Sequence, residues 1–242
     1  NREESPVFVQ IEISPDENTK IKQVDHHICL VIDCSGSMLE GDKMEQAKTA
    51  AINLVRALPS DDLVSIVTFE SIAEEILAPK PAFERQYIES IINEIEIGGA
   101  TDMYEGISLA FSKPIARVQQ RSPDMMNTMM LITDGDPTSG PTDVNDFVKL
   151  AKEVRDGGVS LDTVGIGDEY GQDDEHAQLL RQVAECGGGT WEHASDAGQV
   201  TKIVHTKYTE RQKTVINNPK LQLTLLDTAE LVEMYTIKPT ID

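Results

Sequence analysis

Continuous apolar runs alternate with helical patterns along most of this chain. Residues 27–32, 63–69, 125–133 and 161–166 are rich in aliphatic side chains and have the length of strands. Apolar residues recur at helical spacing over residues 43–58, 83–95, 103–111, 144–155 and 175–186. Strands that are apolar on both faces and are followed by helices are typical of a parallel sheet covered on both sides. The alternation therefore predicts an α/β, doubly wound domain.

Weaker signals complete this predicted domain. Residues 75–77 resemble a short edge strand that Pro79 and Pro81 would stop, and Pro114 is expected to kink or interrupt the helix before it. Residues 190–193 are predicted to form a last short strand, and residues 197–207 a last helix. The glycines at 187–189 follow a predicted helix and indicate its end and a turn. They lack the spacing of a dinucleotide-binding loop, so no such loop is predicted there.

Charge and composition exclude several classes of partner. The 242 residues carry a formal charge of −21, so the surface repels phosphate backbones and anionic lipids, and we expect no nucleic-acid partner. No apolar run is long enough for a membrane span. Three cysteines without a repeating spacing form no disulfide framework, which favours a reducing, cytoplasmic setting over an extracytoplasmic one reached through a removed signal.

Oxygen-bearing side chains follow the first predicted central strand. Residues 33–37 read DCSGS, so Asp33, Ser35 and Ser37 stand at alternate positions on a strand-to-helix turn. In open α/β sheets, ligands bind at the carboxyl ends of the strands. A carboxylate and two hydroxyls are hard donors, which suit Mg²⁺, Mn²⁺ or Ca²⁺ better than copper or zinc.

Two later segments carry the same kind of donor. Thr101 lies in a glycine-rich loop that precedes a helix, and Asp134 follows a buried strand and is followed by Gly135. Together with Asp33, Ser35 and Ser37, these segments resemble the von Willebrand factor type A (vWA) domain and its metal-ion-dependent adhesion site (MIDAS). The resemblance covers roughly residues 26–206.

The resemblance implies a fold, a metal and a partner. It implies about six strands with one antiparallel edge, with helices on both faces. It also implies that Asp33, Ser35, Ser37, Thr101 and Asp134 hold Mg²⁺, Mn²⁺ or Ca²⁺. One coordination position would then accept an aspartate or glutamate of a partner protein. The function expected from it is metal-dependent protein binding without catalysis.

The chain ends fall outside the alternation. Residues 7–13, 221–225 and 230–237 have strand patterns, which predicts a small β-appendage formed by the two termini. We expect an N-terminal segment at 1–25, a vWA domain at 26–207 and a C-terminal segment at 208–242. In bacterial proteins similar to this one a β-sandwich often accompanies the vWA domain, so the C-terminal segment is interpreted as the beginning of a truncated one.

Simpler interpretations compete at each position. Ser35 and Ser37 are also suited to cap the following helix, Thr101 or Asp102 to cap theirs, and Asp134 to form a plain turn. The nearby acids at 42, 136 and 143 are interpreted as solvated loop charges, with a place at the rim of the site as the alternative. No histidine pair has the spacing of metal ligands.

Two other functions remain open. One is a structural domain with a permanently bound ion that binds no partner. The other is Mg²⁺-dependent phosphoryl transfer with Asp33 as the nucleophile. That chemistry would require a second acid at position 35, where this chain has a serine. It would also require a lysine partner, and no predicted loop offers an obvious one.

Overall fold

The computed structural model of the protein describes residues 25–135, 137–167 and 175–212. Its strands are β1 His26–Asp33, β2 Leu63–Phe69, β3 Ala73–Pro81, β4 Met126–Thr133, β5 Val159–Ile166 and β6 Gly188–Ala194. Its helices are α1 Lys43–Ala57, α2 Arg85–Asn93, α3 Met103–Ala110, α4 Ala116–Arg121, α5 Val144–Asp156, α6 Glu175–Cys186 and α7 Ala197–Gln212. The predicted strands of the terminal appendage lie outside the described residues.

The six strands form one sheet in the order β3-β2-β1-β4-β5-β6. All neighbouring pairs are parallel except β2 and β3, which are antiparallel at one edge. The order reverses at β1, because the chain first builds outward through β2 and β3 and then returns to place β4 on the other side. This arrangement confirms the predicted α/β fold. In open α/β sheets, ligands bind outside the carboxyl ends of the strands where the order reverses, which here are β1 and β4.

Two hydrophobic clusters hold helices on the two faces of the sheet. Alternate residues of β1 point to opposite sides: Leu30 packs with α1, α2 and α7, whereas Val31 packs with α3, α5 and α6. Every residue of β1 and β4 is buried. This double burial is why both strands are continuous apolar runs, and it keeps their ends fixed where the functional loops begin.

Three elements differ from their predicted extents. The edge strand predicted at 75–77 is present within β3, but β3 runs over nine residues and includes Pro79 and Pro81, so the predicted stop at the prolines was wrong. An edge strand tolerates proline because an N–H that faces away from the sheet has no partner to lose. Pro114 does interrupt the helix, within a π-helical segment, Phe111–Ile115, between α3 and α4. The last helix continues to Gln212, beyond the predicted end at 207.

Buried polar side chains form partnerships inside this framework. The His27 ring is hydrogen-bonded to Asn127 Oδ1 and to Ser65 Oγ, each at 2.8 Å. Burial lowers the pKa of His27 to about 4, so the ring is neutral and structural. On α7, the Tyr208 hydroxyl donates to Asp62 Oδ2 at 2.6 Å, which ties the helix to the amino-terminal end of β2. No helix in the described part of the chain is long and apolar enough to cross a membrane.

Candidate metal centre

The two carboxylates of the predicted site leave the sheet side by side. Asp33 is the last residue of β1, and Asp134 directly follows Thr133, the last residue of β4. The two strands are parallel neighbours, with Ile32 opposite Ile132. Both acids therefore emerge at the point where the strand order reverses.

The carboxylate of Asp33 is buried, which makes its ionised form energetically unfavourable. The residue is 0% exposed. It accepts hydrogen bonds from the Ser35 backbone N–H at 2.8 Å and from the Thr133 hydroxyl at 2.5 Å. Burial raises the pKa of Asp33 to about 6, the hydrogen bonds from Ser35 and Thr133 oppose that rise, and the nearby charge of Asp134 adds to it. A positive charge near Asp33 would relieve this cost.

Hydroxyl groups connect the two acids. The Ser35 and Ser37 oxygens lie 3.1 Å apart, and Ser37 donates to Asp134 Oδ1 at 2.8 Å. Adjacent oxygens in an Mg²⁺ octahedron with bonds of about 2.1 Å are separated by about 3.0 Å. The two distances from the Ser37 oxygen are therefore compatible with neighbouring positions around one such ion.

A lysine that the sequence analysis did not select also reaches this cluster. The Lys43 ammonium lies 2.8 Å from Asp134 Oδ2, and the Asp134 side chain is 0% exposed. Lys43 is the first residue of α1. It follows a 3-10 segment, Gly36–Asp42, whose last two residues, Gly41 and Asp42, have left-handed φ values of 59° and 57°. The ammonium engages one Asp134 oxygen, while Ser37 contacts the other.

The glycine-rich loop of Thr101 is fastened to the turn after β1. Gly98 N–H donates to the Cys34 carbonyl at 2.8 Å, and Gly36 N–H donates to the Gly99 carbonyl at 3.2 Å. The Thr101 backbone exchanges hydrogen bonds with Thr138 at 3.0 Å in both directions, so the segment after Asp134 holds it as well. Thr101 is buried. Among the described residues, no hydrogen bond joins the Thr101 hydroxyl to the other four predicted ligands.

The interpretation of site residues and nearby acids as helix caps holds for some of them and not for others. Ser35 occupies the N-cap position of the 3-10 segment, but its side chain makes no capping hydrogen bond. Asp102 does cap α3, accepting from Glu105 N–H at 2.9 Å, and Asp143 caps α5. Asp136 lies outside the described residues. Two of the neighbouring acids therefore have structural roles.

The thiol within the motif has no reactive environment. Cys34 is buried, and its Sγ donates to the Phe69 carbonyl at 3.3 Å. Burial, followed by the charge of Asp33, raises the pKa of Cys34 to about 11. The thiolate is therefore scarce at neutral pH. Across residues 25–135, 137–167 and 175–212, no group of three or more His, Cys, Asp or Glu side chains offers an alternative metal site.

Comparison with known proteins shows how widely this arrangement is shared. A family model described as the von Willebrand factor type A domain matches residues 27–206. An uncharacterised protein of Synechocystis is 24% identical over 231 residues, which cover 96% of this chain and 51% of that protein. Inter-alpha-trypsin inhibitor heavy chain H4 of Sus scrofa is 30% identical over 168 residues, which cover 68% of this chain and 18% of that protein.

Solved structures share the fold. Proximal thread matrix protein 1 from the mussel byssus, with a zinc-occupied MIDAS motif, has a TM-score of 0.61 and 16% identity, covering 76% of this chain and 47% of that one. The chain spans about half or less of the length of the first curated relatives it matches. Since the family model covers most of its residues, the chain belongs to the von Willebrand factor type A domain family.

Proposed function

We propose that this domain is a metal-dependent protein-binding module. Asp33, Ser35, Ser37, Thr101 and Asp134 hold a divalent cation, with Mg²⁺ favoured and Mn²⁺ or Ca²⁺ as alternatives. The remaining coordination position takes an aspartate or glutamate side chain of a partner protein.

The observation that carries the proposal is the row of oxygens between the two acids. The Ser37 oxygen lies 3.1 Å from the Ser35 oxygen and 2.8 Å from Asp134 Oδ1, distances that are compatible with neighbouring ligands of one ion, and Asp33 is a buried carboxylate with a raised pKa beside them. Oxygen-only donors favour hard cations. The zinc-occupied motif of the mussel protein is a reason to include Zn²⁺ among the ions tested.

The mixture of neutral and charged donors explains why a partner carboxylate would bind. Three of the five proposed ligands are hydroxyls and only two are carboxylates, one of which also pairs with Lys43. The charge of a divalent ion is therefore incompletely cancelled by the protein. An external carboxylate completes that neutralisation, which a neutral ligand cannot do.

Calorimetric titration with Mg²⁺, Mn²⁺, Ca²⁺ and Zn²⁺ tests the metal site directly. We expect binding to the unmodified protein and none to Asp33→Ala. Asp61→Ala is a matched control, because Asp61 is exposed and lies before the amino-terminal end of β2, whereas the proposed site lies at the carboxyl ends of the strands. Equal binding to all three proteins would refute the proposed ligand set.

Selection of displayed peptides in Mg²⁺ and in EDTA then tests partner binding. Peptides that contain aspartate or glutamate should be retained only in Mg²⁺ and only by protein with an intact site. If the metal raises the melting temperature but no peptide is retained, the domain instead holds a permanent structural ion.

The alternative function, phosphoryl transfer, would need a lysine near the site and a second acid two residues after Asp33, and only the lysine is present. Lys43 beside Asp134 supplies the lysine that the sequence did not reveal. However, the position two residues after Asp33 carries the Ser35 hydroxyl, where a second acid would be needed to protonate a leaving group. Absence of turnover of a generic phosphoester with Mg²⁺ would exclude this candidate.

A further inference from the structure

A groove of about 620 Å³ opens directly beside the proposed metal centre. One wall consists of β3 and the turn from β2 to β3, and the other consists of the end of α2 and the loop that follows it. Cys34 and Gly98, which join the two metal-site loops through a 2.8 Å hydrogen bond, also line the groove. The groove and the centre therefore share a boundary.

The groove wall and the metal-site loop are joined by further hydrogen bonds. Asp102 N–H donates to the Glu70 carbonyl at 2.6 Å, and Ala100 N–H donates to Ser71 Oγ at 2.9 Å. These contacts fix the turn after β2 against the glycine-rich loop that carries Thr101. A segment bound at the metal could therefore continue into the groove over a defined surface.

Isoleucines give the groove an apolar lining. Ile72, at the turn, is 67% exposed, and Ile76, Ile91 and Ile97 are each only partly buried. Single exposed aliphatic residues are common on protein surfaces, but several along one groove mark a binding site. The lining suits aliphatic side chains of a ligand.

Glutamates give the same groove a negative charge. Glu70, Glu74, Glu94 and Glu96 line it, and none of them forms an ion pair with a described residue. Other glutamates of β3 and α2 and of the turn between them are paired with a cation: Glu75 with Arg117, Glu84 with Lys80 and Glu89 with Arg56. The groove therefore concentrates carboxylates that have no partner cation in the described part of the chain.

We propose that the groove binds the same partner segment that supplies the carboxylate to the metal, and that this segment carries a lysine or arginine and an aliphatic residue next to its acid. The inference rests on the proposed function. The metal attracts an anion, whereas the four glutamates attract a cation and repel a second acid. A second copy of this chain is a poor occupant, because its own charge is −21.

A displayed peptide library with a fixed central aspartate and random flanks tests this proposal. Selection on the full chain in Mg²⁺ should enrich lysine or arginine together with isoleucine, leucine or valine near the aspartate. A synthetic peptide of the enriched sequence should lose about fivefold in affinity for Glu94→Gln/Glu96→Gln, because each exposed charge pair contributes modestly. Ile72→Ser should weaken binding as well.

The matched control is Glu153→Gln/Glu185→Gln, which changes the same charge at exposed positions of α5 and α6. This variant should bind the peptide like the unmodified protein. Retention of the fold in each variant is checked by its thermal melting curve.

Each other outcome overturns a distinct statement. Mg²⁺-dependent peptides with no basic or aliphatic enrichment would overturn the groove proposal and leave the proposed function intact. Basic, aliphatic peptides that bind equally in EDTA and to Asp33→Ala would show that the groove acts without the metal, which also overturns the proposal. If no peptide depends on Mg²⁺ although the ion binds, the proposed function fails, and the groove proposal fails with it.

Discussion

We expect Asp33→Asn to stabilise the protein when divalent cations are removed with EDTA, although it destroys the proposed site. The Asp33 carboxyl is 0% exposed, and its pKa is raised from 3.8 to about 6, chiefly by burial. Below the unfolded pKa both states are protonated and the residue has no cost. As the pH rises from the unfolded to the folded pKa, the unfolded state ionises while the native state stays protonated, so the free energy of unfolding falls, and the loss is complete above the folded pKa.

The magnitude follows from that shift. A difference of roughly two pKa units corresponds to about 3 kcal/mol at neutral pH. Asparagine has nearly the same shape. Its oxygen can accept from the Ser35 N–H, and its amide can donate to the Thr133 hydroxyl, so the hydrogen bonds are retained while the charge is removed. The variant should gain about 1–3 kcal/mol at about pH 7 and little at about pH 4.

Urea denaturation in EDTA at both pH values measures this difference, with Asp61→Asn as the exposed control. Added Mg²⁺ should stabilise the unmodified protein according to its affinity and leave Asp33→Asn unchanged. An Asp33→Asn variant that is less stable than the unmodified protein at neutral pH in EDTA would refute the electrostatic reasoning. It would show that the hydrogen bonds to the carboxylate outweigh its burial cost.

Three further substitutions test other contacts. Lys43→Met removes the ammonium group 2.8 Å from Asp134 and should raise Mg²⁺ affinity about tenfold in calorimetry, whereas weaker binding would mean that Lys43 chiefly positions Asp134. Tyr208→Phe removes the 2.6 Å hydrogen bond to buried Asp62 and should lower the urea-measured free energy of unfolding by about 2 kcal/mol; an unchanged value would contradict this. Gly106→Ala places a Cβ 2.7 Å from the phenyl ring that ends β2 and should lower the melting temperature; an unchanged melting temperature would contradict this.

Periodicity was sufficient to predict the α/β class, though not the six strands and the antiparallel edge that the resemblance implied, because burial is nearly complete in the central strands. Every residue of β1 is buried, and residues 28–32 pack alternately into the two hydrophobic clusters, so the strand contains no solvent-facing position. β3 illustrates the limit of this reasoning. Its Pro79 and Pro81 are strong stop signals in a sequence, and only the position of the strand at the sheet edge makes them compatible with pairing to β2.

The candidate site was predictable as a set of residue types, whereas its charge balance was not. Asp33, Ser35 and Ser37 are close in sequence, and the position of Asp134 follows from the parallel pairing of β1 and β4. Lys43 reaches Asp134 only because the chain turns through left-handed residues before α1 begins. Such a turn leaves no periodic signal, so the contact required a structure.

The net charge of the chain and the chemistry of the proposed site impose opposite demands on a partner. A divalent ion attracts a carboxylate, but a surface with a formal charge of −21 repels an acidic protein. At physiological salt this repulsion extends over only about 8 Å, so the charges nearest the metal matter most. The glutamates of the groove share its lining with Cys34 and Gly98, which belong to the loops of the proposed metal centre. A segment with an acid for the metal and a base for the groove meets both demands, whereas a purely acidic or purely basic segment meets only one. Discrimination between partners would then arise from the groove as much as from the metal.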